Sequence, residues 1–228
     1  MLDPGVLMRR SIRVACDQFN LKPDTVWTLP SDVRGKFQEL VMEIHDDMQY
    51  NQLKYFRPFE HQLKFFHDTC TSDRRGILAA NRIGKTVSTC FETACHLTGQ
   101  YPAWWPESAK RFSKPVTVMV AGESWGQVAL VLQNELLGTP DIKITSAIGT
   151  GMVPRDAIVM DTMRNDGANC MGVEIRHASG GNSYLIFANY TQEVRQMQGF
   201  KLNLAVFDEQ PRSEEHTSEL QSRETISY

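Results

Sequence analysis

The sequence has no long apolar run. Its longest, such as residues 116–121, fall far short of the roughly 18–20 residues that a membrane-spanning helix needs. The N-terminal stretch lacks the extended apolar core and small-residue cleavage site of a secretory signal, so an intracellular chain is expected. Neither sign of charge dominates: 24 Lys and Arg stand against 27 Asp and Glu in 228 residues. That balance excludes a strongly basic nucleic-acid sponge. With 41% hydrophobic and 22% charged residues, it also excludes a collagen or a wholly disordered chain. Five cysteines, an odd count without repeating spacing, read as buried free thiols in a reducing cytoplasm. No internal repeat is present. His61, His67 and Cys70, or His96 with Cys90 and Cys95, match no usual zinc spacing. No Ser-His-Asp or Cys-His nucleophile arrangement stands out.

What is present is an alternation of helical and strand-like segments. Pro4, Pro23 and Pro30 break up the first thirty residues. Ser31 or Asp32 is placed to cap a helix over residues 31–53, with Val33, Phe37, Leu40, Val41, Ile44 and Met48 on one face. A second helix is expected from Pro58, with Phe59, Leu63 and Phe66 as its buried stripe. Residues 76–80 read as a short buried strand and residues from Gly84 as a third helix. The stretch 101–115, rich in Pro and Trp, reads as a loop. Residues 116–121 form a strand of the parallel-sheet kind, followed by a helix carrying Val128, Leu132 and Leu136. Residues 138–172 show little pattern. Residues 173–177 and 184–188 read as strands joined by a turn, 192–198 as a short helix and 202–207 as a last buried strand. Strands alternating with helices imply an α/β fold with a mostly parallel sheet flanked by helices.

The strongest signal is Ala79-Ala80-Asn81-Arg82-Ile83-Gly84-Lys85-Thr86, between an expected strand and an expected helix. That is the setting of a phosphate-binding loop, with Ala79 where the usual pattern has Gly. Backbone N–H groups at a helix start point outward and carry partial positive charge, which suits phosphate oxygens. Gly84 removes a Cβ from the path of the backbone. Lys85 is suited to neutralising β- and γ-phosphates, and the Thr86 hydroxyl suits Mg²⁺. The alternative is a chance Gly-Lys-Thr at a helix start.

The second signal is Leu204-Ala205-Val206-Phe207-Asp208-Glu209, four apolar residues ending in two acids. A buried strand delivers carboxylates to the C-terminal edge of a sheet, where open α/β sheets bind ligands. Asp208 is the expected Mg²⁺ ligand. Glu209 is the expected general base polarising the attacking water, a role worth about 10²–10⁴ in rate. Alone, the pair also reads as a strand ending in solvated acids. In this order after a phosphate loop, the two motifs point to an ATP hydrolase of the P-loop NTPase, RecA-like kind.

Flanking residues extend this reading. Gln62 lies 23 residues before Lys85. A Gln amide donates and accepts at once, matching the N6 donor and N7 acceptor of adenine. Gln62 is therefore the expected adenine-selecting residue, with Phe56 or Tyr55 beside the base. Arg82, inside the loop, either reaches the γ-phosphate or shapes the loop through an ion pair; an arginine supplied to the transition state is worth about 10³–10⁵ in turnover. Arg195 either acts on a neighbouring subunit's nucleotide or is a surface arginine.

Three segments taken together, Arg57-Pro58 with Gln62, Ala80 to Thr86, and Gln198-Gly199 with Val206-Phe207-Asp208-Glu209-Gln210-Pro211, resemble the large terminase subunit of tailed bacteriophages. Gly181-Asn182-Ser183-Tyr184-Leu185-Ile186-Phe187 is similar to the strand before that family's Gln-Gly turn. The likeness covers residues 50–211. It implies an ATP-driven motor that moves double-stranded DNA into an empty capsid. It also implies ATP and Mg²⁺ as cofactors, and a homo-oligomeric ring, a pentamer, docked on the portal protein. A small terminase subunit is the implied further partner, and the cytoplasm of the infected bacterial host the implied location. In such a motor Arg82 senses or stabilises the γ-phosphate. The family's C-terminal nuclease is not represented in these residues. The rivals are a helicase-like translocase and a nucleotide-binding assembly module without turnover.

The organisation expected is an N-terminal helical segment over 1–54, an ATPase domain over 55–211 that is incomplete at its C-terminus, and a tail over 212–228. In the tail apolar periodicity ends and the sequence resembles a translated sequencing adapter, so it is expected to be non-native. Without it, 22 basic residues face 23 acidic ones, which is compatible with weak, sequence-independent grip on DNA but does not argue for it.

Overall fold

The computed structural model describes residues 4–67, 74–77, 83–190 and 201–208. Its N-terminal part is a helical hairpin, α1 (Pro4–Phe19) and α2 (Ser31–Tyr50), linked by a 3-10 turn (Pro23–Thr28). The first thirty residues thus hold a long helix that their prolines argued against. Pro4 is the first residue of α1, where a missing N–H costs nothing, and Pro23 and Pro30 fall outside it. Leu7, Ala15, Cys16, Val26, Phe37, Val41, Ile44 and Met48 form a small core between the two helices. Pro30, rather than Ser31 or Asp32, occupies the cap position of α2.

Two short helices follow, α3 (Gln52–Tyr55) and α4 (Glu60–His67). Phe66 of α4 is fully buried, but Phe59, expected inside, is 69% exposed and stacks on His61. Helix α5 (Lys85–Thr98) carries Cys90, Phe91, Ala94, Cys95 and Leu97 into the main core. There Phe91 stacks on Phe56 with ring centroids 4.1 Å apart, and Phe66, Trp104 and Trp105 surround it. Burying one such ring is worth roughly 1.5–3 kcal/mol. The cysteines at 16, 90, 95 and 170 are buried and free.

The sheet holds five strands in the order β2-β3-β4-β1-β5: β1 (Thr117–Gly122), β2 (Ile158–Asp166), β3 (Asn169–Arg176), β4 (Asn182–Asn189) and β5 (Leu204–Phe207). Between β1 and β2, α6 (Trp125–Gln127), a π-helical stretch (Val128–Gln133) and α7 (Asn134–Leu137) make one continuous run. Strand β1 pairs in parallel with both β4 and β5, whereas β2 with β3 and β3 with β4 are antiparallel. Among the described residues the sheet is mixed, not mostly parallel as expected. The reason is local: two-stranded hairpins with short turns are necessarily antiparallel, while parallel neighbours need long crossovers. Strand β2 lies in the stretch that showed little pattern. Most of its residues are half-buried or exposed, so it lacks the buried alternation that marks a strand in sequence.

Several expected elements lie partly or wholly outside the described residues: residues 78–80 of the first strand, the helix over 192–198, and the tail. Gly76 and Ile77 carry no regular secondary structure. No helix among the described residues is long and apolar enough to cross a membrane.

Candidate functional site

Because β4, β1 and β5 run in parallel, their C-terminal ends share one edge of the sheet. Asp208 follows β5 directly and donates its N–H to the Ala121 carbonyl of β1 at 2.9 Å. Helix α5 begins beside the same edge. The Thr86 hydroxyl donates to Asp208 Oδ1 at 3.1 Å, across 122 residues of sequence. The geometry thus brings the Gly-Lys-Thr end of the loop onto the first acid of the apolar-acidic motif. Lys85 is the first residue of α5 and half-buried.

The loop is locked by its glycine. Gly84 is the N-cap of α5 with φ 84°, in the left-handed region that side chains with a Cβ avoid. Its carbonyl accepts from the Ser88 N–H at 3.0 Å, the Ser88 hydroxyl at 2.8 Å and the Gln62 amide at 3.3 Å. A Cβ on Gly84 would lie 2.8 Å from Gln62 Nε2. His61 adds a contact of 3.0 Å between its ring Nε2 and the Ile83 carbonyl. Helix α4 therefore holds the loop from one side.

Gln62 is 4% exposed. Its Nε2 end meets Gly84, and its Oε1 accepts the Phe59 N–H at 2.9 Å. Both ends of the amide expected to read adenine are thus engaged within the chain. The aromatic rings expected beside a base are also engaged: Phe56 stacks on Phe91, and the Tyr55 hydroxyl donates to Asp47.

Two residues at the site gave no signal in the sequence reading. Tyr190 follows β4, and its hydroxyl lies 3.1 Å from the Asp208 carbonyl oxygen and 3.3 Å from that of Ala121. It spans the ends of three strands, with its ring against Phe207. The signal available was position alone: an aromatic hydroxyl just past a strand whose end shares the site edge. Glu135, in α7, is the second. Burial raises its carboxyl above the ordinary carboxylate range. Burial, with Glu135 and then Asp208 adding to it, pushes the Cys90 thiol well above its ordinary value. Cys90 lies one helical turn below Thr86, so both carboxylates act on the interior under the loop. No sequence pattern would have found Glu135, because its proximity arises from the packing of α7 on α5.

Ala80, Asn81, Arg82, Arg195 and Glu209 lie outside the described residues. Ile83, Gly84, Lys85, Thr86, Gln62 and Asp208 are the expected site residues that the structure places.

A family model described as terminase large subunit, T4likevirus-type, N-terminal, matches residues 77–227. The chain belongs to the terminase large subunit family. The matched stretch contains Gly84, Lys85, Thr86 and Asp208 and leaves out the N-terminal hairpin. A curated relative, the terminase large subunit of Salmonella phage P22, is 28% identical over 189 residues, covering 76% of this chain and 38% of the relative. The chain thus spans well under half the length of that family member. No solved structure matches.

The donor set suits a magnesium-bound triphosphate. Gly84, the N-cap of α5, has no side chain to cap the helix, and the N–H groups of a helix's first turn are the kind that attract phosphate oxygens. The Thr86 hydroxyl and Asp208 carboxylate are hard oxygen donors of the kind Mg²⁺ takes, with water and phosphate completing its shell.

Proposed function

We propose that this chain is the ATP-hydrolysing motor portion of a terminase large subunit, acting in the packaging of double-stranded phage DNA. The observation that carries the reading is the 3.1 Å contact between Thr86 and Asp208. Family membership supports the packaging role, and with it DNA, the portal protein and a small terminase subunit as partners. Membership also favours this reading over a helicase-like translocase.

In this reading the N-terminal turn of α5 holds the phosphates through backbone N–H groups, and Lys85 neutralises their charge. Thr86 and Asp208 hold Mg²⁺, which when bound withdraws electron density from the phosphoryl oxygens. Glu209 takes a proton from the attacking water, and Arg82 attends the γ-phosphate. Gln62 selects adenine by exchanging its contacts to Phe59 and Gly84 for the base edge, which would release the loop as it reads the nucleotide.

Phosphate release from ATP tests the reading, with the full-length protein as the reference for this chain. Lys85→Ala is expected to abolish nucleotide binding, and Glu209→Gln to keep binding while losing turnover. Full turnover in Glu209→Gln would remove that residue from its role. Binding without any turnover in the full-length protein would instead mark a nucleotide-dependent assembly module. Equal use of GTP would remove Gln62 from base selection.

A further inference from the structure

Buried polar side chains are normally paired, and an unpaired one calls for a reason. Asn189 is such a case among the described residues. It is the last residue of β4 and only 5% exposed, and its Oδ1 is buried without a hydrogen-bond partner. The other side-chain atoms in that state belong to helices or connecting segments. Asn189 alone ends a strand, at the sheet edge that carries the candidate site.

The register sets its neighbours. Asn189 pairs with Gly122, the last residue of β1. Ala121 pairs with Phe207 on the other flank of β1, so Asp208 lies beside Gly122. Asn189, Gly122 and Asp208 thus form one row across three parallel strand ends. They also share a face. Side chains alternate along a strand, and Leu185 and Phe187 of β4, Val118 and Val120 of β1, and Leu204 and Val206 of β5 all pack in or against the core that α5 enters. Two residues further along each strand come Asn189, Gly122 and Asp208. Thr86 of α5 reaches Asp208 on that same side, while Ala188 and Tyr190 pack on the other. The middle of the row is bare. Gly122 has no side chain, and a Cβ there would lie 3.1 Å from Val128 Cγ2. Strands lie about 4.8 Å apart, so the Asn189 and Asp208 backbones are roughly 10 Å apart with no β1 side chain between them.

We infer that Asn189 is a positioning residue for the metal end of the site: its Oδ1 accepts a hydrogen bond from a water of the Mg²⁺ shell that Thr86 and Asp208 hold. The inference rests on the nucleotide reading above and adds a residue to it. An amide carbonyl accepts without carrying charge, so it orients a metal-bound water without competing with Asp208 for the ion. Mg²⁺ sheds water reluctantly and keeps several waters in protein sites, and a metal-bound water is a stronger donor than a free one. A partner that arrives with the ligand also accounts for a buried acceptor that nothing in the described fold pairs.

Binding of a fluorescent, non-hydrolysable ATP analogue to the full-length protein tests this, titrated with Mg²⁺ and repeated in excess chelator. Asn189→Leu keeps the branched shape and removes both polar ends; Asn189→Ala does the same with less bulk. In both, the Mg²⁺ concentration for half-maximal binding is expected to rise about three- to tenfold, with affinity in chelator unchanged. Asn189→Asp keeps an acceptor oxygen in the same shape and should need no more Mg²⁺ than the wild type. The urea midpoint without nucleotide should not fall in Asn189→Leu, because no hydrogen bond is lost. An unchanged Mg²⁺ requirement in both the leucine and alanine variants would overturn the inference. So would equal weakening with and without Mg²⁺, or a lowered urea midpoint in both variants at a wild-type Mg²⁺ requirement, either of which marks a structural amide. Lys85→Ala is expected to lose the analogue in both conditions. A wild type that does not bind the analogue would overturn the nucleotide reading itself, and this inference with it.

Discussion

Replacing Gly84 with alanine adds one carbon where the structure has no room for it. The backbone there sits at φ 84°, and an L-residue with a Cβ pays about 1–2 kcal/mol for the left-handed region. The new Cβ would also lie 2.8 Å from Gln62 Nε2. The side chain of Gln62 must then move, breaking its bond to the Gly84 carbonyl, and at 4% exposure the displaced amide finds little water. Losing that satisfaction costs about 1–3 kcal/mol. The expected total is about 2–5 kcal/mol, a large fraction of the ~5–15 kcal/mol stability of a typical domain. Urea denaturation followed by circular dichroism measures it. The decisive control is the pair with Gln62→Ala: once the amide is gone the clash is gone, so the double variant should fall short of additivity by about 1–2 kcal/mol. A Gly84→Ala cost below about 0.5 kcal/mol, or strict additivity with Gln62→Ala, would refute the claim that α4 locks this loop.

Arg75 donates to Glu92 Oε1 at 2.6 Å and to the Phe65 carbonyl at 3.1 Å, with the Glu92 side chain 5% exposed. Arg75→Ala strands that carboxylate beside His96 and should cost about 3–5 kcal/mol, and adding Glu92→Gln should recover part of the loss in the same denaturation assay. Tyr190→Phe removes the hydroxyl bridging the ends of β1 and β5. Stability should fall by only about 0.5–1.5 kcal/mol, while the Mg²⁺ concentration for half-maximal phosphate release rises; an unchanged Mg²⁺ dependence would leave Tyr190 a structural tie alone. For Glu135, burial raises the folded-state carboxyl above the ordinary value of 4.5. The folded state then binds more protons than the unfolded one between those two values, so this group's contribution to stability falls as pH rises through that window. Glu135→Gln should therefore raise the unfolding midpoint at neutral pH and lose its advantage below pH 4.5, as compared by thermal unfolding in acidic and neutral buffers.

Much of the candidate site was legible because its parts are local. Gly84-Lys85-Thr86 announces a left-handed cap followed by a helix, and residues 204–207 announce a strand ending in acid; the burial expected of that strand is absent, because β5 pairs only with β1 among the described strands and leaves Phe207 62% exposed. The apolar face of α2 follows from spacing alone. Helix α1 was obscured because its prolines were read as breaks, when position decides whether proline ends a helix or begins one. Strand β2 was obscured because pairing with β3, not burial, makes it a strand.

By itself the sequence determined the local conformations: the turn at Gly84, the helix it opens, the apolar strands and the chemistry of the side chains at their ends. Only the tertiary structure decided that Thr86 meets Asp208, that Gln62 grips the loop rather than standing open, and that Tyr190 and Glu135 belong to the same neighbourhood. The physical reason is that φ/ψ preference and hydrophobic period act over a few residues. Which strands lie side by side is instead chosen by hydrogen-bond pairing and packing across more than a hundred, and no short pattern in the chain encodes that choice.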